Sequence, residues 1–113
     1  FNAFLRASGA FVGRIDLHSF DFEAPRCEVG YVGDAGHQGC GLMREAALTV
    51  IAAGFDLGLA RVQAMSDAKN ARALRFALAL GMVKEGMLHA YERSPQGALC
   101  DMVLFAAINP RAG

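Results

Sequence analysis

The chain has 113 residues, 54% of them apolar and 19% charged, which excludes a disordered acidic or basic tail. Eleven Lys and Arg balance eleven Asp and Glu, so the formal net charge is zero, and the broad basic surface used in sequence-independent nucleic-acid binding is missing. No run approaches the ~18–20 uninterrupted apolar residues of a membrane helix; the longest candidate, residues 46–55, contains Thr49 and Gly54.

Period 2 dominates the first third. Phe1–Arg6 reads as a strand, followed by a turn at Ser8-Gly9. Phe11, Gly13, Ile15 and Leu17 then alternate with Val12, Arg14, Asp16 and His18, giving a second strand with one mostly polar face. Residues 20–26, with Pro25, read as a loop, and Cys27–Val32 as a third strand.

The period changes at Leu42. Apolar residues at Met43, Ala46, Ala47, Val50, Ile51, Gly54 and Leu57 predict a helix of about four turns with one buried stripe, and Gly58 is placed to stop it. Arg61–Met65 predicts a strand with Val62 and Ala64 on one face. Asn70 has the form of an N-cap. Behind it, Ala73, Leu74, Ala77, Leu78 and Leu80 make an apolar face opposite Arg72, Arg75 and Ala79, and Gly81 ends the helix with Met82 folding back. Residues 82–93 and 99–108 are two closing strands around a Ser94-Pro95-Gln96-Gly97 turn. The fold class is therefore α/β (α+β): a mixed, mostly antiparallel sheet flanked by helices, in the order β-β-β-α-β-α-β-β. We expect a single domain over residues 1–113.

Cys27, Cys40 and Cys100 are odd in number and lack C-x-x-C spacing. They argue against a zinc site or a disulfide framework and predict a reducing, cytoplasmic compartment. No metal is expected.

The chemistry concentrates in Gly36-His37-Gln38-Gly39-Cys40-Gly41-Leu42-Met43, between a strand and the long helix. Glycines let backbone approach a ligand closely, and the helix start offers N–H groups and a positive dipole end. Together these make a phosphate or pyrophosphate cradle; a plain Gly-rich turn is the equal alternative from this segment alone. A nucleoside-triphosphate loop is excluded, because Leu42-Met43 stands where Lys and Ser/Thr are needed. A dinucleotide fingerprint is excluded too, because its third Gly is Arg44 and the expected ribose-binding acid is Arg61. Cys40 beside His37 lacks a third member for nucleophilic catalysis.

Glu28-Val29-Gly30-Tyr31, then Gln38-Gly39-Cys40-Gly41-Leu42-Met43 with Glu45-Ala46, resembles motif A of the GCN5-related N-acetyltransferases. Asp67, Asn70 and the run to Leu80-Gly81-Met82 are similar to a further family segment, and Glu85-Gly86 and Asp101 fit the branch that acetylates ribosomal-protein N-termini. The resemblance spans about residues 10–108 and departs from the family at Met43, Met82 and Ala77, the last standing where many members carry a thiolate-protonating Tyr. The elements that normally precede the first hairpin have no counterpart, so the chain is expected to be N-terminally truncated or to receive that piece from another chain.

The resemblance implies acetyl-CoA as donor. It places the CoA pyrophosphate on the backbone amides of Gln38, Gly39, Cys40, Gly41, Leu42 and Met43, the pantetheine arm along residues 28–32, and Asn70 near the thiol end. Acetyl transfer to an amine needs a held thioester, a polarised carbonyl and a neutral amine. A backbone N–H of Tyr31 or Val32 is the natural polariser. Glu28 and Glu92 are candidate bases, the resemblance leaning to Glu92, and a solvated strand carboxylate is the plainer account of either. Tyr91 as an acid competes with a half-buried structural Tyr. The expected acceptor is an amine-bearing peptide or small molecule, with neither nucleic acid nor membrane as partner and with room for a homo-oligomer. Two other functions stay open: a non-catalytic CoA-binding or regulatory domain, and an unrelated phosphate-binding module.

Overall fold

In the computed structural model, which describes residues 2–7, 10–33 and 41–111, the elements follow the expected order. They are β1 (Asn2–Ala7), β2 (Ala10–Asp21), β3 (Arg26–Gly33), α1 (Leu42–Asp56), β4 (Arg61–Asp67), α2 (Ala71–Ala79), β5 (Val83–Arg93) and β6 (Leu99–Ile108). The chain divides into two units, Phe1–Val62 with Ile108–Gly113, and Gln63–Ala107. The expected turn at Ser8-Gly9 lies outside the described residues.

In the first unit, β1, β2 and β3 pair antiparallel in sequence order. The alternation of β2 is obeyed: Ile15 and Leu17 are buried, while Arg14, Asp16 and His18 are half-buried on the other face. Val29 pairs with Leu17 and joins the buried face. The core stripe of α1, Ala47, Val50, Ile51 and Gly54, is buried, and the helix packs on the three strands. A Cβ on Gly54 would stand 3.2 Å from Leu59 Cδ1 and 3.4 Å from Leu17 Cδ1, so the missing side chain sets how near α1 lies to β2. The helix stops at Leu57, with Gly58 left-handed behind it at φ 101°.

The unit is closed by Asn109, which is buried with its polar groups paired. Its Nδ2 donates to Leu59 O (3.0 Å) and Phe55 O (3.2 Å), its backbone N–H donates to Ala60 O (2.9 Å), and its Oδ1 accepts from Arg111 N (3.0 Å). Carbonyls at and just past a helix C-terminus have no intrahelical donor; Asn109 supplies two.

Two details correct the sequence reading. The segment read as a loop over 20–26 is shorter, because β2 continues to Asp21. There Asp21 Oδ1 accepts from Glu23 N (3.0 Å) and Ala24 N (3.2 Å), making the turn, and the Arg26 guanidinium lies 3.3 Å from its other oxygen. Leu57, assigned to the buried stripe, is 81% exposed because it follows the last helical turn.

In the second unit β6 lies between β4 and β5. Val62, Ala64 and Ser66 along β4 are buried, the first of them belonging to the first unit. Asn70 caps α2 as expected, its Oδ1 accepting from Ala73 N at 3.1 Å. The helix ends with Met82 N donating to Ala77 O (3.2 Å) and Gly81 N to Leu78 O (3.0 Å), Gly81 being left-handed at φ 79° and Met82 buried. Leu78, read as part of the apolar face, is 57% exposed; Ala77 and Leu80 carry the burial. β5 and β6 form an antiparallel hairpin, closed by Gly97 N donating to Ser94 O (2.9 Å) and Ser94 N to Ala98 O (2.8 Å).

No described helix is long and apolar enough to cross a membrane.

Candidate functional site

The start of α1 is the feature the glycine segment anticipates. Gly41 adopts φ 79° and ψ −12°, a left-handed conformation that favours glycine. Among the described residues, a Cβ there would meet nothing within 4 Å. The first intrahelical bond runs from Glu45 N to Gly41 O at 3.1 Å. By helix geometry the amides ahead of Glu45 have no acceptor within the helix, and the dipole adds positive potential there. Leu42 and Met43 form the first turn. Gln38, Gly39 and Cys40, the rest of the expected cradle, and His37 lie outside the described residues.

β3 carries the next group. Tyr31 pairs with Ile15 and Val32 with Arg14 across the β2–β3 ladder, while Glu28 pairs with His18. Residues directly opposite on antiparallel strands share a face, so Tyr31 falls on the α1 side and Glu28 on the other.

That other face brings together residues that sequence spacing alone does not join. Arg14, Asp16 and His18 stand along β2 opposite Val32, Gly30 and Glu28. A Cβ on Gly30 would lie 2.5 Å from Asp16 Oδ1 and 3.4 Å from His18 Nε2. The carboxylate and the imidazole therefore converge over the bare backbone of Gly30. Ser19 holds His18 from the other side, with His18 Nδ1 and Ser19 Oγ hydrogen-bonded at 2.9 Å. Ser19 has φ 56°, uncommon for a residue with a side chain. It sits in a bulge, where Ser19 and Phe20 face the single residue Cys27. Period-2 alternation marks Asp16 and His18 as outward-facing, but only the register shows that a glycine lies opposite.

The second unit holds the other sequence candidates. Glu92 is exposed on β5, opposite Cys100 in the ladder. Tyr91, expected to be half-buried, is 53% exposed. Both follow from a bulge in which His89, Ala90 and Tyr91 face Asp101 alone. Asp101 Oδ1 accepts from Ala90 N at 2.8 Å and its Oδ2 lies 3.3 Å from His89 Nδ1. These bonds, the amide of Ala90 first, hold the Asp101 carboxyl below its ordinary pKa. Asn70 is exposed, its Oδ1 committed to the α2 cap. Arg72 and Arg75 are exposed on α2. Glu28, Tyr31, Val32, Gly41, Leu42 and Met43 thus belong to one unit, and Asn70 and Glu92 to the other.

Cys27 is buried, and desolvation pushes its thiol pKa up, with the Glu28 charge adding to the effect. Neither Cys27 nor Cys100 is in a disulfide. Among the described residues no group of three His, Cys, Asp or Glu is placed to hold a metal ion.

Comparison with known proteins adds a family. Residues 1–83 match the profile described as Acetyltransferase (GNAT) domain. An uncharacterised N-acetyltransferase p20 of Bacillus licheniformis is 29% identical over 109 residues, which is 96% of this chain and 61% of that protein. The crystal structure of a ribosomal-protein-S5-alanine acetyltransferase from Vibrio fischeri superposes with a TM-score of 0.84 at 30% identity, covering 91% of this chain and 57% of that one. A crystal structure named as an acetyltransferase superposes with a TM-score of 0.90 at 29% identity, covering 96% and 58%. The mixed fold expected from the sequence is therefore the fold these proteins share. The chain spans about three fifths of the length of the relatives it matches.

Proposed function

Because the chain belongs to the GNAT acetyltransferase domain family, we propose that it serves transfer of an acetyl group from acetyl-CoA to a primary amine by direct attack. The observation that carries the reading is the start of α1: a left-handed glycine whose absent Cβ would meet nothing within 4 Å among the described residues, ahead of first-turn amides that have no acceptor within the helix. That arrangement suits a diphosphate, which would take the amides of Gln38–Met43 and the positive end of the helix.

Acetyl-CoA would supply the activated acyl group as a thioester. The protein's part is to hold, polarise and deprotonate. Tyr31 or Val32 would offer a backbone N–H to the acyl oxygen, a fixed donor that costs no reorganisation as charge develops there. Asn70 would approach the thiol end with its amide NH₂, its oxygen being engaged in the cap. Glu28 shares β3 with Tyr31 and Val32, and it serves the amine's loss of a proton. Glu92, the candidate base to which the family resemblance leans, is exposed on β5. A cytoplasmic setting and an amine-bearing peptide or small molecule as acceptor complete the reading.

Calorimetry with CoA, followed by thiol release from acetyl-CoA in the presence of amines, tests it. Saturable CoA binding with amine-dependent thiol release is the expected result. Binding without turnover would make this a CoA-binding module, and no heat with CoA would overturn the reading altogether.

A further inference from the structure

α2 turns to solvent a face whose charges do nothing for the helix itself. The exposed residues are Ala71, Arg72, Arg75, Leu78 and Ala79, while Ala73, Leu74 and Phe76 are half-buried and Ala77 and Leu80 are buried. At about 100° per residue, the exposed positions fall within about a third of the helix circumference. This face carries two cations among apolar side chains, and no acid.

The placement of the cations runs against helix stability. A helix gains from acids in its first turn and bases in its last, and α2 has neither. Arg72 stands in the first turn instead, and Arg75, three residues on, is a like-charged neighbour on the same surface. Neither guanidinium has an ion-pair or hydrogen-bond partner among the described residues. Of the acids in this unit, Asp67 Oδ1 accepts from Lys69 N at 2.8 Å and Asp101 Oδ1 from Ala90 N at 2.8 Å; Glu85 and Glu92 lie on β5. The imbalance is also visible along the chain. From Arg61 to Lys84 the cations Arg61, Lys69, Arg72, Arg75 and Lys84 are set against Asp67 alone, in a protein of zero net charge.

Leu78 is 57% exposed on the same face, one turn beyond Arg75. An apolar centre with a charged rim is the anatomy of a protein interface. Nucleic-acid contact draws on hydroxyl and amide side chains as well as cations, and the exposed face of α2 has none. We propose that this face docks an acidic polypeptide segment of a partner protein, with carboxylates on Arg72 and Arg75 and an apolar side chain laid on Leu78 beside Ala71 and Ala79. Arginine suits the role, because its planar fork takes a carboxylate at two points. The proposal does not rest on the acetyl-transfer reading, whose helix-start cradle belongs to the other unit.

Fluorescence anisotropy on the full chain tests it, with a labelled peptide of Glu residues around a central Leu. The same peptide with Gln for Glu, and a single-stranded oligothymidylate, are the comparison probes. The acidic peptide is expected to bind at least about tenfold tighter than the Gln peptide, and to weaken as salt rises. Arg72→Gln with Arg75→Gln should lower its affinity about tenfold, and Leu78→Ser about fivefold. Arg93→Gln, which removes an exposed cation from β5, should leave it unchanged. All these positions are exposed, and circular dichroism verifies the fold of each variant. Saturating CoA should not displace the peptide. The proposal is overturned if wild type does not bind the acidic peptide, if Leu78→Ser binds it as wild type does, or if Arg93→Gln loses as much as the arginine pair. Tighter binding of the oligothymidylate would make the face a nucleic-acid surface instead, and displacement by CoA would give its arginines to the cofactor's phosphates.

Discussion

Asp101 Oδ1 accepts a hydrogen bond from the backbone N–H of Ala90 at 2.8 Å, and Ala90 holds a left-handed φ of 50°. The carboxylate compensates a backbone conformation that an alanine rarely adopts. Replacing Asp101 with Ala should therefore lower the melting temperature, and Ala90→Gly should recover part of the loss, since glycine adopts that φ without strain. A double-mutant cycle in thermal unfolding measures the coupling; additive effects would separate the two residues.

The same carboxylate makes acid sensitivity predictable in sign. Its pKa is lowered from 3.8, chiefly by the Ala90 amide and then by His89. A lowered folded value means that the stabilisation is fully present above pH 3.8 and is lost as pH falls through the lower folded value. Wild type should lose melting temperature in that acid window faster than Asp101→Asn does. Parallel melts of the two proteins at descending pH check the difference.

Asn109 should be a strong point of the first unit. Its buried amide donates to Phe55 O and Leu59 O together. Asn109→Ala leaves these carbonyls without that donor, and a cost of about 2 kcal/mol is expected. Asn109→Asp should also destabilise, because it replaces the donor with a buried charge. Urea unfolding gives both values, and an unchanged midpoint for Asn109→Ala would remove the residue from this role.

Periodicity carries the element order well because most strands and helices obey a single phase. It fails where the phase slips. The bulge at Ser19 and Phe20 inserts a residue into β2, so the alternation breaks and the strand looks finished several residues before Asp21. The bulge opposite Asp101 adds two residues to β5, and Tyr91 within it is 53% exposed. Leu57 and Leu78 fail differently. Both are apolar at the margin of a short helical stripe, and burial there depends on neighbours that the sequence does not reveal. The glycine at position 41 is legible as the head of α1. The convergence of Asp16 and His18 on Gly30 is not, because it depends on register between strands rather than on spacing along one.

Reactivity of Cys27 follows from its surroundings. The thiol is buried, and desolvation first and Glu28 second raise its pKa. A raised pKa means less thiolate at any given pH, and thiolate is the reactive form. Cys27 should resist iodoacetamide at pH 8 in the folded protein and react once urea unfolds it. Peptide mapping by mass spectrometry reads this directly, and rapid native labelling would contradict the burial.

The two left-handed glycines flanking α1 separate backbone strain from ligand binding. Gly41 has φ 79° and Gly58 φ 101°, and among the described residues a Cβ at either would meet nothing within 4 Å. A side chain at either position is strained by about 1–2 kcal/mol, so Gly41→Val disturbs stability as well as any ligand. Gly58→Val is the matched control at the opposite end of the helix. Both variants should lose similar stability in urea, but only Gly41→Val should lose CoA affinity, by tenfold or more, since its side chain stands where a diphosphate would approach the helix start. Calorimetry on the two proteins side by side decides it. Equal CoA affinity in both would remove Gly41 from the cradle, and equal loss in both would make the effect one of helix stability.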